Sequence, residues 1–116
     1  MPHSELSGAN LFQANLSGAY LGRAHLLKVD LRLANLSKAH LFGTHLIWAN
    51  LAGANLRETD FDENNLNGAN LAEADLTDVL FVGTDLSHAD FTQTNLTNAN
   101  FKDALITPDA SLRCFK

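Results

Sequence analysis

Residues 9–18 read Ala9-Asn10-Leu11-Phe12-Gln13-Ala14-Asn15-Leu16-Ser17-Gly18. Two leucines stand five residues apart, each preceded by asparagine and, one residue further back, by alanine. Outward from this stretch the spacing holds in both directions. Every fifth residue from Leu6 to Ile106 is large and apolar: 21 positions, of which sixteen are Leu, four are Phe (Phe61, Phe81, Phe91, Phe101) and one is Ile106. Two residues before these centres stand thirteen Ala, four Thr and two Val, with Ser4 and Asn64 completing the set. One residue before the centre, fourteen of 21 are Asn or Asp. The two residues after the centre are mixed and mostly polar. The unit is A-(N/D)-L-x-x.

A period of five fits neither ordinary element. On an α-helix each step of five leaves the next leucine about 140° around the axis, so the row would spray over all sides. On a flat strand side chains alternate faces, so successive leucines would point in opposite directions. All centres can face one interior only if the chain bends once per unit in a constant sense. Such a chain is a coil, and stacked coils pair like parallel strands at about 4.7–4.9 Å. The small residue, two positions before the centre, shares the interior. Asn and Asp suit the bends because their side chains hydrogen-bond nearby backbone. The period does not by itself set the number of sides. Phe61, Phe81 and Phe101 would form one column if each coil had twenty residues.

This unit, repeated from Ser4 to about Pro108, resembles the pentapeptide-repeat family. The resemblance implies an all-β fold: a right-handed quadrilateral parallel β-helix with four faces per coil and about five coils, roughly 25 Å tall at strand spacing. Centre and small residue would point in and the other three out. The expected organisation is a β-helix over residues 1–108 and a short C-terminal cap over 109–116. There Thr107 and Pro108 suit a helix start, and Leu112 and Phe115 could cover the last coil, with Cys114 beside them.

The totals bound the function. With 116 residues and a net charge of −5, the chain makes one small domain. It has no apolar run near the ~18 residues of a membrane span, and Met1-Pro2-His3-Ser4-Glu5 lacks the features of a secretory signal. A single cysteine excludes an internal disulfide framework, so a reduced, cytoplasmic setting is expected. Charge is uneven. Residues 1–56 carry four basic against two acidic residues, +2; residues 57–116 carry four against eleven, −7. The basic residues are scattered, without the aromatic interleaving of a nucleic-acid surface. Direct nucleic-acid binding is therefore not expected.

No catalytic set, cofactor or metal site is expected, and the chain reads as a non-enzyme. Ser and Thr fall mainly in variable or small-residue slots, and glycines such as Gly8, Gly18, Gly53 and Gly68 occupy the second variable slot, where a bend favours them. His25, His40 and His45 replace Asn or Asp at the outward position before the centre. At a twenty-residue period His25 and His45 stack above Glu5, while His40 lies on the preceding face between Tyr20 and Asp60. They suggest a pH-sensitive contact surface more than a shared metal. Leu27 and Ile47 occupy one outward slot a coil apart, Trp48 follows Ile47, and Phe42 lies nearby. Leu27, Phe42, Ile47, Trp48, His25, His40 and His45 are thus the candidate partner-binding residues. The expected function is a non-enzymatic β-helical scaffold for protein–protein interaction or self-association, with a homodimer through the N-terminal coil as one form. The resemblance implies an alternative, since some family members are DNA mimics that bind type II topoisomerases such as gyrase.

Overall fold

The computed structural model describes residues 3–107. The cap expected at 109–116, with Leu112, Cys114 and Phe115, lies outside them. Within them the chain is built wholly from five-residue units. The centre's carbonyl accepts a hydrogen bond from the N–H three residues on, as in Ala34 N–H to Leu31 O at 3.1 Å. The second residue after each centre from Leu6 to Phe101 has positive φ, as has His3, 21 residues between 56° and 75°, of which fifteen are not glycine. That combination marks a turn of type II kind at every unit. Side-chain oxygens of Asn and Asp brace these turns. Asn10 Oδ1 accepts from Phe12 N–H at 3.1 Å, Asp60 Oδ1 from Asp62 N–H at 2.9 Å and Asp85 Oδ1 from Ser87 N–H at 2.9 Å.

Four units close one coil. Every bridge is parallel and joins residues twenty apart, from Glu5 with His25 through to Asp85 with Leu105. Each unit gives three hydrogen bonds between coils. Around Leu31 these are Leu31 N–H to Asn50 O at 2.8 Å, Leu33 N–H to Ala52 O at 3.0 Å and Asp30 N–H to Ala9 O at 3.0 Å. The molecule measures 32 × 23 × 21 Å. It has four flanks, each carrying a column of bridge residues, separated by four corners made of the turn pairs. Among the described residues no helix is long and apolar enough to cross a membrane.

The interior matches the repeat. Centres from Leu21 to Phe91 are buried, as are the small residues of the same coils. Toward the ends the cover thins: Leu6, Leu11, Leu16, Leu96 and Phe101 are partly buried against the core, and Ile106, expected inside, is 36% exposed. Phe61, Phe81 and Phe101 form the expected column, with centroids 5.4 and 5.3 Å apart, and Phe91 meets Phe81 edge-on at 6.4 Å. Buried threonines in the small-residue slot donate to centre carbonyls: Thr59 to Leu36 O at 2.9 Å and Thr84 to Phe61 O at 2.7 Å. Asn64 departs from this. Its amide Nδ2 donates to Leu41 O, but its buried Oδ1 has no partner. At the other end of the scale, the first coil leaves the N–H of Asn10 and Asn15 and the carbonyls of Phe12 and Ser17 without an inter-coil bond among the described residues.

Candidate functional site

The twenty-residue coil places the candidate residues on known columns. Leu27, Ile47 and Trp48 share one corner in successive coils. His25 and His45 lie on the adjoining flank, their rings stacked at 5.0 Å and 24°. Glu5 precedes them in the same column. Its carboxyl is held below the usual range by hydrogen bonds from the Ser7 hydroxyl and N–H, with His25 a smaller contributor. Phe42 stands at the far edge of this flank, on the next corner. His40 lies beyond that corner, on a second flank, with its ring stacked on Tyr20 at 4.4 Å and 4°. The candidates therefore form one group around the His25–His45 flank, and His40 faces another direction.

Exposure differs within the group. Trp48 is 58% exposed, Phe42 44% and Leu27 41%, and the three histidines are exposed, whereas Ile47 is half-buried. Trp48 reaches its place by lying along the rod. A Cβ on Gly68, directly above it, would come within 2.6 to 2.9 Å of three indole ring atoms. Leu33 lies over Gly53 in the same way. A turn residue with positive φ is aimed along the corner, and the absence of a side chain one coil later gives it room.

Further exposed apolar groups lie outside the candidate set. Tyr20, at 65%, is more exposed than Trp48, and Phe12, Leu33 and Leu80 are also exposed. The Arg32 guanidinium sits 5.0 Å from the Phe12 ring centre and is ion-paired with Asp30 at 2.8 Å. Phe12, Arg32, Leu33, Ala52, Gly53 and Glu73 line a shallow cleft of about 220 Å³. Ligand pockets usually measure roughly 300–1,000 Å³ and enclose their ligand. The signal for these residues was in the sequence: each is a large apolar residue in a slot the repeat fills with polar ones.

The stacked imidazoles of His25 and His45 are both exposed to solvent. Among the described residues no three His, Cys, Asp or Glu side chains are grouped to hold a metal ion. Arg23, Lys28, Arg32 and Lys38 lie in the coil that carries His25 and His40; farther along, Asp60 stands on the flank beside the corner of Asp62 and Glu63. Burial raises the Asp62 carboxyl above the ordinary aspartate range, and the neighbouring charges of Asp60 and Glu63 add to this, against a hydrogen bond from Val82 N–H.

Comparison with known proteins bears on the fold. Eight copies of the pentapeptide repeats family match residues 4–41, 39–81 and 74–107. No curated protein matches the chain in sequence. Among solved structures, it is similar to a pentapeptide repeat protein, Rfr23, from the cyanobacterium Cyanothece 51142 (TM-score 0.66, 23% identity, over 95% of this chain and 88% of that one). A pentapeptide repeat protein of the Arabidopsis thaliana thylakoid lumen is similar over 91% of this chain and 70% of its own, with TM-score 0.59 and 27% identity. QnrB1, a plasmid-mediated fluoroquinolone resistance protein, superposes with TM-score 0.69 at 15% identity, over 90% of this chain and 70% of its own.

Proposed function

The chain belongs to the pentapeptide-repeat family, and from that premise we propose that it is a non-catalytic scaffold whose N-terminal coils present a protein-binding surface. The related structures imply the right-handed quadrilateral β-helix for it. Such a fold holds side chains at fixed intervals on flat flanks, an arrangement suited to recognition.

One observation carries the reading. Of the nine large hydrophobic residues exposed among the described residues, six fall between Phe12 and Trp48: Phe12, Tyr20, Leu27, Leu33, Phe42 and Trp48. Three of them, Leu27, Phe42 and Trp48, border the His25–His45 flank; exposed apolar surface gathered in this way marks interaction sites, and tryptophan is enriched among the residues that dominate binding energy. Leu27, Ile47 and Trp48 with His25 and His45 make the centre of the proposed surface, and Phe42 its edge. His40 extends it onto the next flank. The reduced, cytoplasmic setting suggested by a single cysteine suits such a partner-binding role.

The test uses Trp48→Ala. Its thermal stability should stay close to that of the parent, since surface substitutions usually change stability by no more than about 0.5 kcal/mol. Capture of a partner from the source cell should fall at least about tenfold, as removal of an anchoring tryptophan does. Unchanged capture would move docking away from this surface. A supercoiling assay with purified gyrase then decides the topoisomerase reading: inhibition or protection that survives Trp48→Ala would assign function to the acidic coils.

A further inference from the structure

The flank beyond Phe42 carries a different message. Its bridge column reads Tyr20, His40, Asp60, Leu80, Asn100, successive rungs of one parallel ladder. Tyr20 and Leu80 occupy a slot that the repeat gives to Asn or Asp, and both are exposed, at 65% and 39%. Neither contributes to the core. The corner beside them carries Lys38 and Glu58 on adjacent coils, both exposed and both with positive φ, at 59° and 58°. Arg32 pairs with Asp30 and Arg57 with Asp75, so neither of these ion pairs involves Lys38, Glu58 or Asp60.

Over its first four rungs the column reads apolar, imidazole, carboxylate, apolar going up, and reversing the order sets apolar against apolar and imidazole against carboxylate; Asn100 then falls beyond the partner's first rung. The Lys38–Glu58 corner obeys the same rule. We propose that this flank is a self-complementary docking surface for a second copy of the chain, packed antiparallel. The two-fold axis lies across the rod between the levels of His40 and Asp60. Such an axis, lying in the contact plane, keeps each column opposite itself and reverses its order. Tyr20 then meets the partner's Leu80, His40 meets the partner's Asp60, and Lys38 meets the partner's Glu58. Each contact occurs twice. Phe42 and Asp62 meet at the solvent margin. The Tyr20–His40 stack supplies a flat, rigid platform for the contact.

Size sets the strength. A flank limited by extents of 32 and 23 Å offers an interface at the low end of the range, where total buried areas below about 1,200 Å² go with weak, transient association. The surface shares Tyr20, His40 and Phe42 with the reading above but none of Leu27, Ile47 and Trp48, so Trp48→Ala separates the two and either can fail without the other. An end-to-end dimer through the first coil, the form expected from the sequence, would use at most Tyr20 of these residues and would be indifferent to Lys38→Glu.

Sedimentation equilibrium on the full chain between about 10 and 500 µM tests the proposal, in the range where weak interfaces associate. The parent should form a reversible dimer. Lys38→Glu sets glutamate against glutamate at two places and should weaken the dimer about tenfold or more. Adding Glu58→Lys to the same chain restores the complementarity and should restore the dimer. Tyr20→Asn with Leu80→Asn installs the residue that the repeat prefers, and should leave the melting temperature unchanged while abolishing association. Trp48→Ala should have no effect on it. A parent that stays monomeric throughout, a dimer indifferent to Lys38→Glu, a double variant that fails to recover, or a dimer dissolved by Trp48→Ala would each overturn the proposal.

Discussion

Trp48 lies flat across Gly68 of the next coil, so close that a Cβ on the glycine would stand 2.6 Å from its Cε3. The relation recurs. Gly43, Gly53 and Gly83 each lie beside a side chain from twenty residues earlier, namely Arg23, Leu33 and Glu63. Gly8 and Gly18, in the first coil, have nothing within 4 Å. Glycine at these corners thus does two things. It accepts positive φ, which fifteen other residue positions also accept, and it leaves a recess that a long neighbour fills.

Gly68→Ala should therefore act on Trp48 as well as on the backbone. The new methyl cannot share space with the indole, and alanine at a φ of 71° is strained. We expect a loss of about 1–2 kcal/mol. Because Trp48 is the sole tryptophan, its fluorescence should shift to the red as the ring is pushed into water. An unshifted spectrum would show that the ring does not rest on Gly68 in solution.

The core and the surface should respond very differently at neighbouring positions. Leu56 is completely buried, and Leu56→Ala should cost about 2–5 kcal/mol by chemical denaturation. Arg57 is solvent-exposed and pairs with Asp75 at 3.2 Å. Arg57→Ala should cost less than about 1 kcal/mol. Comparable losses at the two positions would mean that the five-residue pattern does not separate inside from outside.

Asn64 offers a stabilising change. Its column companions Thr44 and Thr84 place a hydroxyl on the centre carbonyl one coil before, Thr44 to Leu21 O at 3.2 Å and Thr84 to Phe61 O at 2.7 Å. Asn64→Thr would keep a donor for Leu41 O and remove the buried, unpartnered Oδ1. An unmade bond at a buried polar atom costs about 1–3 kcal/mol, so the variant should melt higher than the parent. A lower melting temperature would show that the amide oxygen has a partner in solution, for example a buried water.

The acidic corner should make stability depend on pH in a defined sense. Burial, then the charges of Asp60 and Glu63, raise the folded-state pKa of Asp62 above the ordinary aspartate value of 3.8. The ionised carboxylate therefore opposes folding at neutral pH. That penalty is relieved as pH falls through the raised value and is gone below 3.8. Asp62→Asn keeps an acceptor for the Val82 N–H, now 2.9 Å from Asp62 Oδ1, without the charge. It should raise the melting temperature at pH 7 and make no difference in acid. Asp62 is largely solvated, so the gain should be only a few tenths of a kcal/mol. A variant less stable than the parent at pH 7 would show that the charged form is the better acceptor.

The fold was legible because its determinant is local and repeated. A centre every fifth residue demands a bend every fifth residue, and the Asn and Asp residues that brace the bends are visible as letters. The Phe61–Phe81–Phe101 column even hinted at the coil length that the bridges have. The columns of the candidate residues follow from that length alone. What the sequence reading did not deliver depends on side-chain direction. Trp48 and Ile47 are adjacent on one corner, yet the first is exposed and the second half-buried, since positive φ aims only the second turn residue along the rod. The pairing of Gly43, Gly53, Gly68 and Gly83 with a long residue twenty positions earlier was present in the sequence and went unread, because glycine was explained by its backbone freedom. The orphaned Oδ1 of Asn64 needed coordinates: its slot was known to be internal, but an amide has two ends, and only one found a carbonyl.

A coil of twenty residues made from units of five separates two kinds of inheritance. Inserting or deleting one unit leaves every centre facing inward, so the interior tolerates it. Yet every residue beyond that point is carried a quarter turn onto the next flank, and Tyr20 and His40 would no longer share a column with Asp60 and Leu80. The columns stay in register only when whole coils are gained or lost. Lineages of such chains can thus keep their architecture through small duplications while scattering any surface that depends on stacking. A surface column that persists among relatives of different length should be accompanied by length differences in multiples of twenty.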